Sequence, residues 1–228
     1  MQKLGFIIYF LLLSTPSLSW AQENSLIAQM QNIQSSLVEI KTTFSRTLRT
    51  PKGTGLASYE RHGAGIIIDS SGIIVTNTHI IRNAPHIFVS LANGKTFKAK
   101  VILANEADFS FLKINTHLPL KPITWADSSL AQLGEPIIAI GGSSDLNHQS
   151  ILGGKITSLI ESKSSGNIEL LELNVNLYEG DSGGPILNRQ GHLLGLIMAK
   201  RKKEDRKSYA IASNKIRREY LKYKQNMP

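Results

Sequence analysis

Glu179-Gly180-Asp181-Ser182-Gly183-Gly184-Pro185 is the most informative stretch of this chain. A serine flanked by glycines lets the backbone turn sharply and lets a substrate carbonyl come close. In such a turn the amides of Gly180 and Ser182 can aim at one point, the arrangement that stabilises a tetrahedral oxyanion. A serine hydroxyl is a weak nucleophile until a histidine accepts its proton and an acid orients that histidine. Six histidines are available: His62, His79, His86, His117, His148 and His192. Only His79 ends a strongly apolar strand inside a tight polar turn, Val75-Thr-Asn-Thr-His-Ile-Ile81. Between it and Ser182, only Asp108 among the acids opens an apolar strand, in Ala107-Asp-Phe-Ser-Phe-Leu-Lys-Ile114. Asp127 and Asp145 lie in serine-rich stretches and read as turn formers.

Working outward, the region from Gly63 is a series of short strands. Two apolar runs flank Ser71-Gly72, and His86 to Leu91 and Phe97 to Leu103 flank Asn93-Gly94, a strong hairpin signal. Phe109–Ile114, Pro136–Ile140, Ile151–Ile160, Ile168–Val175, Ile186-Leu187, Leu193–Met198 and Tyr209–Ala212 continue the series. Strands at this spacing predict an all-β sandwich or a pair of barrels. Ser213-Asn214 is placed to cap a terminal helix over 214–225, with Ile216, Tyr220 and Tyr223 spaced to rest on the barrel.

Taken alone, the serine motif also fits G-x-S-x-G, the nucleophile elbow of α/β-hydrolases. That fold needs an acid and then a histidine after the serine, whereas here only His192 follows, with no Asp or Glu between. The order His79, Asp108, Ser182 is the chymotrypsin order. At this point the chain resembles the trypsin-like serine proteases, and within them the HtrA/Deg family. The matching segments are Gly63-Ala-Gly-Ile-Ile-Ile-Asp69, Ile74-Val-Thr-Asn-Thr-His79, Asp108–Ile114, Leu133-Gly-Glu-Pro-Ile-Ile-Ala-Ile-Gly141, Gly180-Asp-Ser-Gly-Gly-Pro-Ile186 and Tyr209-Ala-Ile-Ala-Ser213. They fall in family order.

The resemblance implies an all-β fold of two six-stranded antiparallel barrels, about 53–125 and about 126–212, with the site in the cleft between them. It implies His79 as base, Asp108 as its orienter, Ser182 as nucleophile, and the amides of Gly180 and Ser182 as oxyanion hole. The reaction it implies is peptide hydrolysis through an acyl-enzyme, on unfolded or damaged exported polypeptides. Its rate should rise with pH as the histidine base loses its proton, near 6.5 for an ordinary imidazole. The rival reading is an inactive trypsin-fold binding module or chaperone.

Several departures from the family shape these expectations. The HtrA-type motif usually carries Asn before the serine, whereas this chain has Asp181, as trypsin does. Trypsin-like zymogens use that Asp to receive a newly cut N-terminus, but no Ile-Val-Gly-Gly start occurs, so Asp181 needs another partner. The pocket floor of the superfamily lies six residues before the serine, here Asn176, which disfavours a basic P1 residue. Ile197, Met198 and Ala199 would wall the pocket, pointing to a small or medium aliphatic P1. The family adds PDZ domains after the protease; with Pro228 close behind the last matched segment, none is expected in this chain.

The two ends carry their own signals. Lys3, an apolar run from Leu4 to Leu13 and Ser19-Trp20-Ala21 read as a secretory signal cleaved after residue 21, which predicts a periplasmic or secreted protein. Leu26, Met30, Ile33, Leu37, Ile40 and Phe44 form a heptad-like seam, with Ile27 and Val38 off it. The seam predicts an amphipathic helix over 24–45 that either lies on its own domain or joins copies, a trimer by family analogy. Pro51, Gly53 and Gly55 would then link it to a protease domain over 53–228.

Composition sets the outer limits. The chain has 228 residues, 41% hydrophobic and 19% charged, enough for a sizeable core. It has no cysteine, which excludes disulfides, thiolate zinc sites and a cysteine nucleophile. Its net charge of +9 is concentrated at the C-terminal end: residues 200–228 hold 11 Lys/Arg against 3 Asp/Glu, while 22–199 hold 14 of each. The basic run Lys200–Lys207 reads as a solvated loop or as an attraction to anionic surfaces. No dinucleotide loop, Walker loop, HExxH or EF-hand occurs, so no cofactor or metal is implied, and no nucleic-acid-binding signature is present.

Overall fold

The alternation of buried and exposed residues begins earlier than the first recognisable motif. The computed structural model describes residues 29–50, 53–142, 150–178, 180–198 and 207–226. Residues 29–36 form helix α1, and strand β1 (Leu37–Thr50) follows without a break. Val38, Ile40, Thr42 and Phe44 are all buried while their neighbours from Glu39 to Thr43 are only partly so, a period of two. The helix expected over 24–45 is therefore confined, among the described residues, to 29–36. Its last heptads double as a strand because Ile40 and Phe44 fit either period, and β-branched Val38, Thr42 and Thr43 tip the choice toward a strand. Val38, the residue off the seam, carried the warning. Leu37, Ile40 and Phe44 lie in the chain's own core, so they are not free to join copies.

β1 turns back as β2 (Gly53–Asp69), so Gly53 and Gly55 belong to a hairpin rather than to a linker. A Ser71-Gly72 turn, with Gly72 at φ +96°, leads to β3 (Ile73–Thr76). The single turn α2 (Thr78–Ile81) comes next. Then come β4 (His86–Leu91), the Asn93-Gly94 turn, β5 (Thr96–Lys98), β6 (Lys100–Ala104) and β7 (Ser110–Lys113). These seven strands form one curled antiparallel sheet in the order β5-β4-β1-β2-β3-β7-β6. This corrects the expected six-stranded first barrel: β1 supplies a strand that the motifs did not mark.

The second half matches the expectation. A short 3-10 turn (Ser128–Leu130), N-capped by Asp127, precedes β8 (Pro136–Gly141), β9 (Ser150–Glu161) and β10 (Ile168–Leu173). β11 (Pro185–Leu187), β12 (Leu193–Met198) and β13 (Ser208–Ala212) close a six-stranded barrel, ordered β10-β13-β12-β11-β8-β9. Helix α3 (Ser213–Gln225) ends the described chain. Ser213 does not cap it; the residue lies inside the helix and its hydroxyl donates to the Ala126 carbonyl at 2.9 Å.

The halves share a core. Val75, Phe109 and Phe111 of the first half pack with Ile140, Leu187, Leu196 and Ile211 of the second. The connecting segment is tied to both, through Ile123 N–H to the Ile67 carbonyl at 2.9 Å and Leu193 N–H to the Thr124 carbonyl at 2.8 Å. α3 returns across the joint, where Tyr220 meets Phe111 edge-on, with ring centroids 5.9 Å apart. Its hydroxyl donates to Asp69 of β2, and Lys224 adds an ion pair to the same carboxylate at 3.2 Å. The expected signal segment 1–21, residues 24–28 of the seam, Asp145, His148, Glu179, Ala199 and the basic run as far as residue 206 lie outside the described residues. Lys207 pairs with Glu172 at 3.2 Å.

Candidate active site

β3 is buried along its whole length, so its end delivers the following turn into the joint between the halves. Asn77 enters α2 in an extended conformation, and His79 sits in the middle of that one-turn helix. Asp108 arrives from the other side, at the start of the β7 segment. Its φ is +66°, a left-handed conformation that Asp tolerates better than most residues and that is enriched at functional sites. That conformation lets one residue serve the whole turn. The Asp108 carbonyl accepts from Thr78 N–H at 3.2 Å and from Asn77 Nδ2 at 3.0 Å. The carboxylate accepts from the His79 amide through Oδ1 at 3.0 Å and faces the imidazole Nδ1 through Oδ2 at 2.8 Å.

The chemistry of that pair fixes the imidazole. An ionised carboxylate only accepts, so the neutral ring must carry its proton on Nδ1 and leave Nε2 free to take one. Asp108 is 8% exposed, while the His79 side chain is 35% exposed. A buried carboxylate behind a half-open imidazole is the arrangement a general base requires.

Ser182 comes from the second half on two consecutive turns. Asp181 N–H donates to the Tyr178 carbonyl at 3.1 Å, with Gly180 at φ +100°. Gly184 N–H donates to the Asp181 carbonyl at 3.1 Å, with Gly183 at φ +85°. Both glycines occupy the third position of their turn, where a type II turn requires positive φ. Gly183 also has no room for a side chain, since a Cβ there would fall 2.0 Å from the Ala64 carbonyl oxygen. Among the described residues, no acceptor takes the amide of Gly180 or of Ser182.

Asp181 finds the partners its sequence position demanded: Ser150 Oγ donates at 2.9 Å and Tyr178 N–H at 2.7 Å. Gly141 makes the space, because a Cβ there would fall 1.8 Å from Asp181 Oδ1. Neither Ser150 nor Tyr178 stands in a motif, and only the need to satisfy a buried carboxylate could have called for them.

Three backbone-linked groups join the halves of the site. Thr76 Oγ1, three residues before His79, donates to the Ala64 carbonyl at 2.7 Å, and Ala64 N–H donates to the Ser182 carbonyl at 2.8 Å. Gly63 lies between Ile80 and Ser182, so that a Cβ on it would meet Ile80 Cδ1 at 2.4 Å and the Ser182 carbonyl at 3.3 Å. The segments that carry His79 and Ser182 are thus tied together through Thr76, Ala64 and Gly63. The pocket residues are less uniform. Asn176 is exposed and Met198 half-buried, but Ile197 is fully buried in the barrel core. Its side chain therefore does not face a pocket; its backbone instead pairs with Gly183 and Gly184 at 3.1 and 2.8 Å. Among the described residues, no group of three or more His, Cys, Asp or Glu could hold a metal ion.

A closed six-stranded barrel and a curled sheet sharing one core, with histidine and aspartate from the sheet side and serine from the barrel side, define a trypsin-like fold. The trypsin-like peptidase domain family matches residues 63–196, and the chain belongs to that family. Among curated proteins, it is 32% identical over 188 residues to a probable periplasmic serine endoprotease DegP-like of Rickettsia prowazekii, covering 78% of this chain and 34% of the relative. It is 35% identical over 146 residues to the putative serine protease HhoA of Synechocystis, covering 60% and 36%. To the serine endoprotease DegS of Escherichia coli it is 33% identical over 137 residues, covering 59% and 38%. The chain thus spans about a third of the length of these relatives, and the HtrA/Deg resemblance of its motifs agrees with their names.

Proposed function

We propose that this chain is an exported serine endopeptidase working by a His79–Asp108–Ser182 triad through an acyl-enzyme. The observation that carries the proposal is the double hold of Asp108 on His79, at the amide and at Nδ1, which leaves Nε2 as the proton acceptor. Ser182 Oγ attacks the peptide carbonyl while Nε2 takes its proton. The negative charge that develops on the carbonyl oxygen falls to the amides of Gly180 and Ser182. The intermediate collapses to an ester on Ser182 as His79 returns the proton to the departing amine. Water, deprotonated by His79, then attacks the ester and releases the acid. A protonated imidazole cannot perform the first step, so activity falls in acid.

Unfolded or damaged polypeptides are the substrates that the resemblance to the HtrA/Deg proteases favours, and Asn176 in place of an acid favours uncharged P1 residues of small or medium size. The periplasmic description of several relatives supports export. Homo-oligomerisation, a trimer by family analogy, belongs to the same proposal and is read by sedimentation of the mature protein. The test of function is hydrolysis of fluorescently labelled unfolded casein by the wild type and by Ser182→Ala. The proposal expects turnover in the first and a loss of several orders of magnitude in the second. Casein binding without cleavage in both proteins would favour an inactive binding module instead.

A further inference from the structure

The turn that carries His79 has six carbonyls whose partners can be accounted for one by one, from Asn77 to Arg82. Local amides take three of them: Ile80 N–H donates to Asn77, Arg82 N–H to Thr78 and Ala84 N–H to Ile81, at 3.3, 2.9 and 3.0 Å. The other three are met from outside the turn, by two side chains of the β1–β2 hairpin. Thr42 Oγ1 donates to the Ile80 carbonyl at 3.3 Å. Arg61 Nη1 donates to the His79 carbonyl at 3.1 Å and reaches the Arg82 carbonyl at 3.5 Å.

Arg61 is itself held in place. Its guanidinium lies over the Phe44 ring, 4.4 Å from the centroid, and 6.0 Å from that of Tyr59. Those two rings stack across the hairpin at 4.9 Å and 7°. In the strand register Phe44 faces Tyr59 and Thr42 faces Arg61, so all four side chains share one face of the hairpin, the face turned to α2. Beyond Thr43, the last β1 residue paired with β4, the hairpin continues as a two-stranded arm to Thr50 and Gly53.

The geometry points to Arg61 as a positioning residue for the His79 base, linking the β1–β2 arm to the catalytic centre. This inference rests on the triad reading. Asp108 supplies negative charge at the amide end of the one-turn helix and Arg61 supplies positive charge at its carbonyl end, each the sign that end prefers. With Asp108 alone the imidazole is fixed about one end, and the turn can rock about it. With Arg61 as well the backbone of His79 is gripped on both sides, and rocking of Nε2 away from Ser182 is suppressed. Small misplacements of a base are costly to rate, whereas ground-state binding at a distance from Arg61 should not notice them.

The test measures the rate of fluorophosphonate labelling of Ser182 as a function of probe concentration, in wild type, Arg61→Ala and Arg61→Lys. The expected result is a maximal labelling rate about tenfold lower in Arg61→Ala, with the half-saturating concentration unchanged, consistent with the loss of one hydrogen bond of ordinary strength. Arg61→Lys should fall between, since an ammonium can reach one carbonyl but does not lie flat on Phe44. Millimolar guanidinium should restore part of the rate to Arg61→Ala and leave Arg61→Lys nearly unchanged. Amide hydrogen exchange over residues 78–84 should quicken in Arg61→Ala, with thermal unfolding little altered. Labelling of Arg61→Ala at the wild-type rate overturns the inference, and faster exchange with unchanged labelling does so too, because Arg61 is then merely structural. A folded wild type that takes no label, like Ser182→Ala, overturns the triad reading and this inference with it.

Discussion

His79 comes from the first half of the molecule and Ser182 from the second, and opposite means hold each in place. His79 is fixed by side chains that are present: the Asp108 carboxylate at its amide and ring, the Asn77 amide anchored on the Asp108 carbonyl, Arg61 and Thr42 at the carbonyl end. Ser182 is fixed by side chains that are missing. Gly183 and Gly184 let the turn press against the Ala64 and Ile140 carbonyls, where a Cβ would fall 2.0 and 2.1 Å away. The first half can therefore lose chemistry while keeping its shape, whereas the second loses its shape first.

Mutations on each side break or sharpen this contrast. The largest effect is expected from Asp108→Asn. Asn also tolerates positive φ, so the fold and melting temperature should hold, while an amide that can donate to Nδ1 favours the wrong tautomer and should cost about 10^4 in kcat. Gly183→Ala should act in reverse order, with stability lost first. A left-handed alanine costs about 1–2 kcal/mol before the clash is counted, so about 3 kcal/mol in all and a melting temperature lower by about 10 °C are expected by calorimetry. An Asp108→Asn protein that melts early, or a Gly183→Ala protein that melts like wild type, would erase the contrast.

The joint behind the site responds to pH in its own way. Burial pushes the Asp69 carboxyl up, but hydrogen bonds from Tyr220 and Ser71 and the approach of Lys224 outweigh it and hold the group well below the usual carboxylate range. Burial, then the bond to Asp69 and its charge, push the Tyr220 phenol well above the usual tyrosine range. A depressed carboxylate stabilises the fold above its unfolded pKa of about 4 and loses that contribution as pH falls toward the folded value. A raised phenol stabilises the fold below its unfolded pKa of about 10 and loses that contribution as pH rises toward the folded value. Denaturant midpoints across pH 2–11 should therefore fall at both ends. Tyr220→Phe should flatten both limbs of the profile, since it removes the phenol and one of the bonds that depress Asp69. The smallest effect is expected from that variant at neutral pH, about 1 kcal/mol, because the ring keeps its contact with Phe111.

How far the sequence could be read follows the same division. Motifs built on backbone necessity were legible: Gly180, Gly183 and the Asn93-Gly94 turn stand where positive φ is needed, and each has it. So were Asp108 and His79, each at the edge of an apolar strand. The start of the first sheet was not, because an apolar period of 3.5 and one of 2 coincide at Ile40 and Phe44, and only packing against β2 and β4 decides between them. Ile197 was misplaced for a related reason: a strand has two faces, and register alone settles which one meets the core. Arg61, Thr42 and Ser150 carry no local signal, since what they satisfy lies 18 to 38 residues away along the chain.

The central claim is that these two differently built halves assemble one nucleophile. The most direct measurement is fluorophosphonate labelling of the folded protein followed by peptide mapping, with Ser182→Ala and His79→Ala alongside. The account predicts a single adduct on Ser182, absent from Ser182→Ala and slower by orders of magnitude in His79→Ala. An adduct on another residue, or labelling of His79→Ala at the wild-type rate, would contradict it.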